Sequence, residues 1–265
     1  MSDALRRRLA AQGLDWIVPH WDGPPRVAAL FTTRHGGAGE GVAGTMDVGT
    51  ARPDAAALAG AVGANRARLR AFLPSDPVWL SQVHGRRVVV VDAANAPALR
   101  AQPPEADAAV TRTPGIALTV RTADCLPVLL AAHDGSVLGV AHAGWRGLAG
   151  GVLEATLATM DVPPATVCAW LGPAIGKRMF EVGDDVLAAF GGAGSGAARH
   201  FAPLRQGKWL ADLPSLARAR LHAAGVRRVA GGHWCTHSES ARFFSYRRER
   251  DSGRMALVAW LADGQ

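Results

Sequence analysis

The chain has 265 residues, of which 49% are hydrophobic and 19% are charged, and this usage is typical of a globular protein with a sizeable core. Its formal net charge is +7 and its pI is near 10.5, which would suit a nucleic-acid partner if the basic residues clustered on one face. The arginines are instead spread along the chain, and only two of the 29 basic residues are lysines. We therefore predict no nucleic-acid partner.

The N-terminal sequence does not resemble a secretory signal. Its basic start is followed by a stretch that Gln12, Asp15 and His20 interrupt, so no apolar signal region forms. No apolar run reaches the roughly 20 residues needed to cross a bilayer. The three cysteines lack the close spacing of a zinc ribbon or a redox pair, so we expect reduced thiols. These features predict a soluble cytoplasmic protein with no membrane partner.

Apolar runs of strand length recur along the whole chain and predict nine strands. They cover residues 27–32, 88–91, 108–111, 116–121, 127–132, 137–141, 166–171, 226–231 and 255–261.

Four segments have helical patterns. They cover residues 54–72, with Asp54 as a cap, 145–160, 184–190 and 212–224. The Asp134-Gly135 pair between two predicted strands is a hairpin signal, so much of the sheet should be antiparallel. We predict a mixed α/β chain of the α+β type, a single domain over residues 1–265 with largely antiparallel sheets flanked by helices. Residues 1–25 form a lead-in without a clear pattern.

Three segments place reactive side chains among small residues at predicted turns: Ser81 to Gly85, Thr122 to Pro127 and Gly139 to Gly147. One thiolate and two imidazoles from these segments would give zinc three protein ligands and leave a fourth position open, as in catalytic zinc sites. The alternatives are structural. A histidine can simply be hydrogen-bonded, and Cys125 can be a small buried hydrophobe at the end of a strand.

Several motifs in this chain resemble those of the YfiH family, also called the laccase-domain, DUF152, polyphenol oxidase or peptidoglycan editing factor family. The resemblance extends from about residue 27 to near the C-terminus, and its most specific elements are Ala123-Asp124-Cys125 and His142-Ala143-Gly144-Trp145-Arg146-Gly147. The other matching segments are Phe31 to Gly37, Asn65-Arg66, Gln82 to Gly85, Leu171 to Ile175, Phe180 to Val182 and Phe243 to Arg248.

The resemblance implies a YfiH-like α/β fold and a zinc-dependent purine nucleoside phosphorylase with adenosine deaminase activity. The zinc ligands fall on His84, Cys125 and His142, the types of group that the chemistry had also nominated; copper is the weaker candidate. The chain departs from the family at Thr45-Met46-Asp47-Val48-Gly49, where the family usually has Ser-x-Asn-Leu-Gly. A carboxylate at Asp47 replaces an amide there, which leaves the metal ligands untouched.

Phosphorolysis needs cationic donors for phosphate and a group that handles the purine. We predict Arg34 and Arg146 as catalytic phosphate-binding residues, because a guanidinium matches phosphate oxygens. Each could instead form a surface ion pair. Gln82 and Trp145 are further substrate-binding candidates, although Trp145 could equally pack a helix start against the sheet.

Asp124 is adjacent to the predicted thiolate ligand. It could donate a proton or orient a ligand histidine, and helix capping is its alternative role. Adenosine deamination would use water activated by zinc, on a scaffold without the usual deaminase motif. The expected partners are a purine nucleoside and phosphate, and nothing in the sequence specifies the oligomeric state.

Three other functions compete with this interpretation. Cys125 could be the nucleophile and His142 the base of an amide hydrolase acting on cell-wall precursors. A multicopper laccase is weaker, because its chemistry needs about ten histidines, mostly in His-x-His pairs, whereas this chain has 9 histidines and no such pair. A basic nucleic-acid or protein-binding module is the non-enzymatic alternative, and salt-sensitive binding to random DNA would support it.

Overall fold

The computed structural model describes residues 2–39, 45–49 and 55–263. Its helices are α1 (Ser2–Ala11), α2 (Ala55–Arg70), α3 (Ala96–Ala101), α4 (Trp145–Ala149), α5 (Val152–Met160), α6 (Asp184–Ala189) and α7 (Leu213–Ala223). Its strands are β1 (Val27–Phe31), β2 (Val88–Val90), β3 (Ala108–Thr111), β4 (Leu118–Thr122), β5 (Leu126–Ala132), β6 (Leu138–Ala143), β7 (Val167–Leu171), β8 (Glu181–Gly183), β9 (Phe201–Arg205), β10 (Lys208–Ala211), β11 (Arg228–Gly231) and β12 (Met255–Leu261).

A six-stranded sheet in the order β11-β7-β5-β6-β3-β2 is the centre of the molecule. Its four inner strands pair with one another in antiparallel fashion, and each of the two edge strands runs parallel to the inner strand beside it. The predicted hairpin joins β5 to β6, and Gly135 in its turn has a φ of 70°, which a residue without Cβ adopts freely. This hairpin brings the start of β5 beside the end of β6, where the predicted ligands lie.

The four inner strands of the central sheet are buried on both faces. In β5, Val128 and Leu130 pack with the helical side of the core, whereas Leu129 and Ala131 pack against a second sheet, β1-β12-β4. A strand buried on both faces has a continuous apolar run in place of an alternating one. That property made β5 and β12 visible in the sequence.

A third apolar cluster covers the outer face of the β1-β12-β4 sheet. Helix α1 contributes Leu5 and Leu9, spaced four residues apart, and they pack with Leu30 and Val258. The lead-in to the predicted domain is therefore structured. The remaining sheet is β8-β10-β9, which lies beside α6.

The mixed α/β class and the largely antiparallel pairing are confirmed. The prediction of one helix over residues 145–160 is wrong, because Gly150 and Gly151 separate α4 from α5 and Gly151 has a φ of 92°. The predicted cap at Asp54 lies outside the described residues. None of the described helices is both long enough and apolar enough to cross a membrane.

Candidate metal centre and its two cavities

Three side chains with metal-binding atoms meet at the open end of the β5-β6 hairpin. Cys125 precedes β5, and His142 lies in β6, opposite Pro127. His84 comes from a turn before β2, where its φ of 61° is in the left-handed region. The residues are 41 and 17 positions apart in sequence order, and the sheet brings them together.

The ligand atoms of His84, Cys125 and His142 all lie within 4.8 Å of one another. The Cys125 Sγ is 3.7 Å from His84 Nε2, and the two imidazole rings meet edge to face with centroids 4.8 Å apart. Tetrahedral zinc with bonds of about 2.3 Å to sulfur and about 2.0 Å to nitrogen requires similar separations between ligands. The donor set and its spacing therefore fit a metal ion with three protein ligands.

Gly144 provides space for this cluster. A Cβ at that position would lie 2.9 Å from Cys125 Sγ and 3.0 Å from His84 Cδ2. Its φ of −62° and ψ of 160° are accessible to any residue. The glycine is therefore required by the two side chains and not by its own backbone.

Asp107, which the sequence analysis missed, holds two of the three candidate ligands. Its buried Oδ1 is 2.8 Å from His142 Nδ1 and accepts a hydrogen bond from the backbone N–H of His84 at 2.9 Å. Its Oδ2 accepts from the N–H groups of Gly85 and Val83. With Nδ1 of His142 engaged, its Nε2 is left for the cluster, which is a common arrangement behind metal-binding histidines.

The electrostatics of the site favour charged groups. Burial alone would raise the pKa of Asp107, but the hydrogen bonds from His142, Gly85 and Val83 outweigh it and lower that pKa. Burial likewise opposes the Cys125 thiolate, yet the two histidines lower its pKa. The pKa of His142 is raised, because the Cys125 charge and the Asp107 hydrogen bond outweigh its burial. A thiolate is the form of cysteine that binds metal or attacks carbon.

Two cavities open on the cluster. The first, of about 470 Å³ and called here the apolar cavity, has the aromatic residues Trp145, Phe180 and Tyr246 on its wall, with Ile175 and Leu213. The second, of about 460 Å³ and called here the arginine cavity, is lined by Arg121, Arg146 and Arg254 among others. The residues shared by both walls are His84, Ala123, Cys125, Arg146 and Tyr246. The candidate metal-binding cluster thus lies at the junction of an apolar and a cationic space.

Asp124 lines the apolar cavity, but its carboxylate is fully engaged. Oδ1 accepts from Thr236 Oγ1 at 2.6 Å, and Oδ2 accepts from Ser245 Oγ at 3.0 Å and from the Arg247 N–H at 2.7 Å. Asp124 lies in the turn between β4 and β5, so no helix begins there for it to cap. The carboxylate connects distant chain segments beside the site.

The other predicted substrate residues divide into two groups. Trp145 and Arg146 lie on the cavity walls, and the Arg146 guanidinium stacks over the Trp145 ring at 4.3 Å. Gln82 lines the arginine cavity, where its side-chain amide exchanges hydrogen bonds with the backbone of Arg121. Arg34 lines neither cavity and donates to the Ser240 carbonyl at 2.8 Å.

Several residues of the site carried no recognisable sequence signal. Asp107 was visible only as an acid before a predicted strand. Arg121 lies within β4 and Arg254 immediately precedes β12, and both strands were predicted for their apolar content. The one available signal was a charged residue next to a fully buried strand, which needs a local reason to be there.

The chain is similar to known proteins over most of its length. The family described as "multi-copper polyphenol oxidoreductase laccase" matches residues 28–262. The chain is 46% identical over 249 residues to a purine nucleoside phosphorylase of Pseudomonas aeruginosa, covering 94% of this chain and 99% of the relative. It is 44% identical to the purine nucleoside phosphorylase YfiH of Escherichia coli over 251 residues, covering 92% and 98%.

Solved structures are similar over most of their length. A DUF152 protein of Neisseria meningitidis has a TM-score of 0.85 and 43% identity, with 94% of this chain and 100% of that chain covered. The YlmD protein of Geobacillus stearothermophilus has a TM-score of 0.78 and 29% identity, covering 90% and 93%.

Proposed function

The chain belongs to the laccase-domain (DUF152, YfiH) family, and we propose from this that it is a zinc-dependent purine nucleoside phosphorylase. The observation that carries the proposal is the apolar cavity, which has three aromatic side chains on its wall and the Cys125 cluster at its edge. Relatives named for this activity match more than nine-tenths of the chain. A cavity of this volume is in the range of small-ligand sites.

In this proposal the purine lies in the apolar cavity. Trp145, Phe180 and Tyr246 line this cavity, and stacking of a base on an aromatic ring contributes about 1–3 kcal/mol in nucleic-acid complexes. Ile175 and Leu213 would exclude water from the base. The ribose would then point to the junction with the arginine cavity.

His84, Cys125 and His142 would hold the zinc, which when bound supplies a fixed positive charge at the junction of the cavities. A single group of three donors suits one metal ion, and it is the one such group among the described residues. We therefore favour zinc over a multicopper centre. Asp107 positions two of these ligands through its hydrogen bonds.

The reaction itself exchanges two bonds at the ribose. A phosphate oxygen forms a bond to C1′ while the bond from C1′ to the purine nitrogen breaks, and the bonding electrons leave with the purine. The proton carried by phosphate ends on the free base, which balances the reaction. Arg146 is shared by both cavities, so we assign it, in preference to Arg34, to the transferring phosphate.

We include adenosine deamination as a second activity of the same centre. It would require the six-membered ring of adenine, and not the ribose, to face the cluster, with water as the attacking molecule and ammonia as the product. The two reactions therefore need opposite orientations of the nucleoside in the apolar cavity. Product analysis separates them.

The test is incubation of the zinc-loaded protein with adenosine, inosine or guanosine, each with and without phosphate, followed by chromatography and mass spectrometry. Adenine and ribose 1-phosphate should form only when phosphate is present, and inosine without phosphate would report deamination. The His84→Ala variant should lose both activities, whereas His20→Ala, an exposed histidine outside both cavities, should keep them. Unchanged adenosine, inosine and guanosine in the zinc-loaded sample would refute the proposal.

A specific observation favours amide hydrolysis as the second candidate function. Cys125, His142 and Asp107 form a thiol, imidazole and carboxylate series, with His142 Nδ1 2.8 Å from Asp107. Such a series activates a cysteine nucleophile. Activity on cell-wall precursors that survives chelation but is lost on thiol alkylation would favour the hydrolase over the phosphorylase.

A further inference from the structure

The arginine cavity has three guanidinium groups on its wall and no carboxylate among its lining residues. Arg121 lies in β4, Arg254 immediately precedes β12, and Arg146 is the second residue of α4. Strands β4 and β12 are neighbours in one sheet, with Thr122 opposite Met255. The part of the cationic wall that Arg121 and Arg254 form is therefore built on this sheet.

The guanidinium groups of Arg121 and Arg254 are held by carbonyl oxygens. Arg121 Nη2 donates to the Leu80 carbonyl at 2.9 Å, and Arg254 Nη1 donates to the carbonyls of Ser252 and Gly253. None of the ion pairs found among the described residues includes Arg121 or Arg254. Carbonyls fix the orientation of a guanidinium but do not neutralise it.

The arginine side chains in this region are positively charged and partly buried. Burial, with the nearby charges of Arg66 and Arg254, lowers the pKa of Arg121 to about 10, so the group still carries its proton at neutral pH. Asp47 partly offsets the charges of Arg66, Arg121 and Arg254, and Cys125 and Asp124 also act on Arg254. Neither Asp47 nor Asp124 lines the arginine cavity, so the three guanidinium groups on its wall have no carboxylate beside them on that wall.

A second, independent observation is an unpartnered hydroxyl on the same wall. Thr122 is 1% exposed and lines the arginine cavity, and its buried Oγ1 has no hydrogen-bond partner. Buried hydroxyls in folded proteins are normally satisfied, and an exception needs an explanation. An oxyanion that accepts hydrogen bonds from Thr122 Oγ1 and from the arginines would give the hydroxyl a partner and would offset the positive charge of the arginines.

We propose that the arginine cavity is the binding site for inorganic phosphate and that Arg121, Arg254 and Thr122 hold it. A guanidinium donates two parallel hydrogen bonds to neighbouring phosphate oxygens, and the hydroxyl donates a third. The site shares His84, Cys125 and Arg146 with the apolar cavity, so a bound phosphate lies next to the proposed position of ribose C1′. This inference rests on the proposed phosphorolysis and names its second substrate site.

The kinetic test compares two variants with the parent protein while phosphate and nucleoside are varied separately. Arg254→Met should raise the KM for phosphate about 10-fold or more, because it removes a charged donor. Thr122→Val should raise it about threefold or more, since it removes a neutral donor. The KM for the nucleoside should stay within about twofold in both variants, as the apolar cavity is intact.

Thermal unfolding without phosphate distinguishes this role from a structural one. Thr122→Val replaces a hydroxyl that has no partner with a methyl group of similar shape, so its Tm should be equal to or higher than that of the parent. A structural hydroxyl would instead lower the Tm on removal. Arg227→Met is the matched control, because Arg227 is exposed and lines neither cavity, and its KM for phosphate should not change.

Asp47→Asn should change the KM for phosphate in the opposite direction, and damage to the fold would not lower that KM. It removes the negative charge next to the cations, so the KM for phosphate should fall about threefold. A KM for phosphate that is unchanged in Arg254→Met and Thr122→Val, in an enzyme that performs phosphorolysis, would overturn the inference while leaving the proposed function in place.

If the parent protein performs no phosphorolysis, the proposed function fails and calorimetry decides the anion site separately. Inorganic phosphate titrated into the parent protein should release heat that Arg254→Met loses and Arg227→Met keeps. No measurable binding in that experiment would overturn the phosphate site as well.

Discussion

At the scale of single residues, the site depends on one buried carboxylate that no sequence motif predicted. Asp107 receives hydrogen bonds from the turn that carries His84 and from the ring of His142, 35 residues further along the chain. It therefore links two candidate ligands that arise from different elements. Its negative charge also balances positive charge that develops on His142.

Replacing Asp107 with asparagine should weaken metal binding. The amide has one acceptor where the carboxylate has two, so its NH₂ group would face N–H donors and shift His142 or the His84 turn. Comparable changes behind metal ligands lower metal affinity or activity by about 10–100-fold. Competition with a coloured zinc chelator measures that affinity.

The matched control is Asp92→Asn, which makes the same change at an exposed carboxylate that accepts from the backbone of Ala94 and Asn95. Its zinc affinity should equal that of the parent. Equal affinities in all three proteins would remove Asp107 from any role at the metal centre.

At the scale of elements, the β5-β6 hairpin and the start of α4 form one unit around the cluster. The hairpin fixes Cys125 and His142 on neighbouring strands, and the chain then turns at Gly144 into α4, which carries Trp145 and Arg146 to the cavity walls. The short sequence His142 to Gly147 thus provides a candidate ligand, a space for the cluster and two wall residues.

Gly144→Ala isolates the role of that space. The backbone at Gly144 accepts alanine without strain, but the new Cβ would push against the ends of the Cys125 and His84 side chains. We expect a Tm close to that of the parent, together with zinc affinity and kcat/KM lowered about 10-fold or more. Zinc titration, steady-state kinetics and thermal unfolding on one preparation give the three values.

Gly60→Ala makes the same substitution in α2, where a Cβ meets nothing within 4 Å. It should stabilise the protein by about 0.5–1 kcal/mol and leave the kinetics unchanged. A Gly144→Ala protein that binds zinc like the parent would mean that Cys125 and His84 adjust freely to the added methyl group.

The elements also indicate how far the sequence could be interpreted alone. Strands β5 and β12 were predictable because both of their faces are buried, which produces continuous apolar runs. Strand β9 was not, since four of its five residues are exposed and it contains Pro203. The ligands His84, Cys125 and His142 were nominated by residue type and motif. Asp107 was missed because its function depends on a contact that only the sheet creates.

At the scale of the whole molecule, Asp124 joins parts of the chain that are far apart in sequence. Its carboxylate accepts from Thr236 and Ser245, which are 112 and 121 residues away, and from the Arg247 N–H. These bonds attach the segment before β12 to the turn that carries Cys125. The wall residue Tyr246 lies within that segment, so the attachment also completes both cavities.

This geometry predicts that Asp124 contributes mainly to stability. The φ of Asp124 is 85°, a conformation that asparagine tolerates well, so Asp124→Asn tests the carboxylate without backbone strain. Losing hydrogen bonds to a charged, buried acceptor should cost about 1.5–3 kcal/mol. For a protein of this size that lowers the Tm by roughly 3–12 °C. Thr236→Val, which removes one of the donors, should lower the Tm less.

The same Asp124→Asn variant also tests the carboxylate in catalysis. Below its unfolding transition, its kcat should stay within a fewfold of the parent value, because the carboxylate has no free oxygen for proton transfer. A kcat lowered 100-fold or more at an unchanged Tm would contradict this and make Asp124 the proton donor of the reaction.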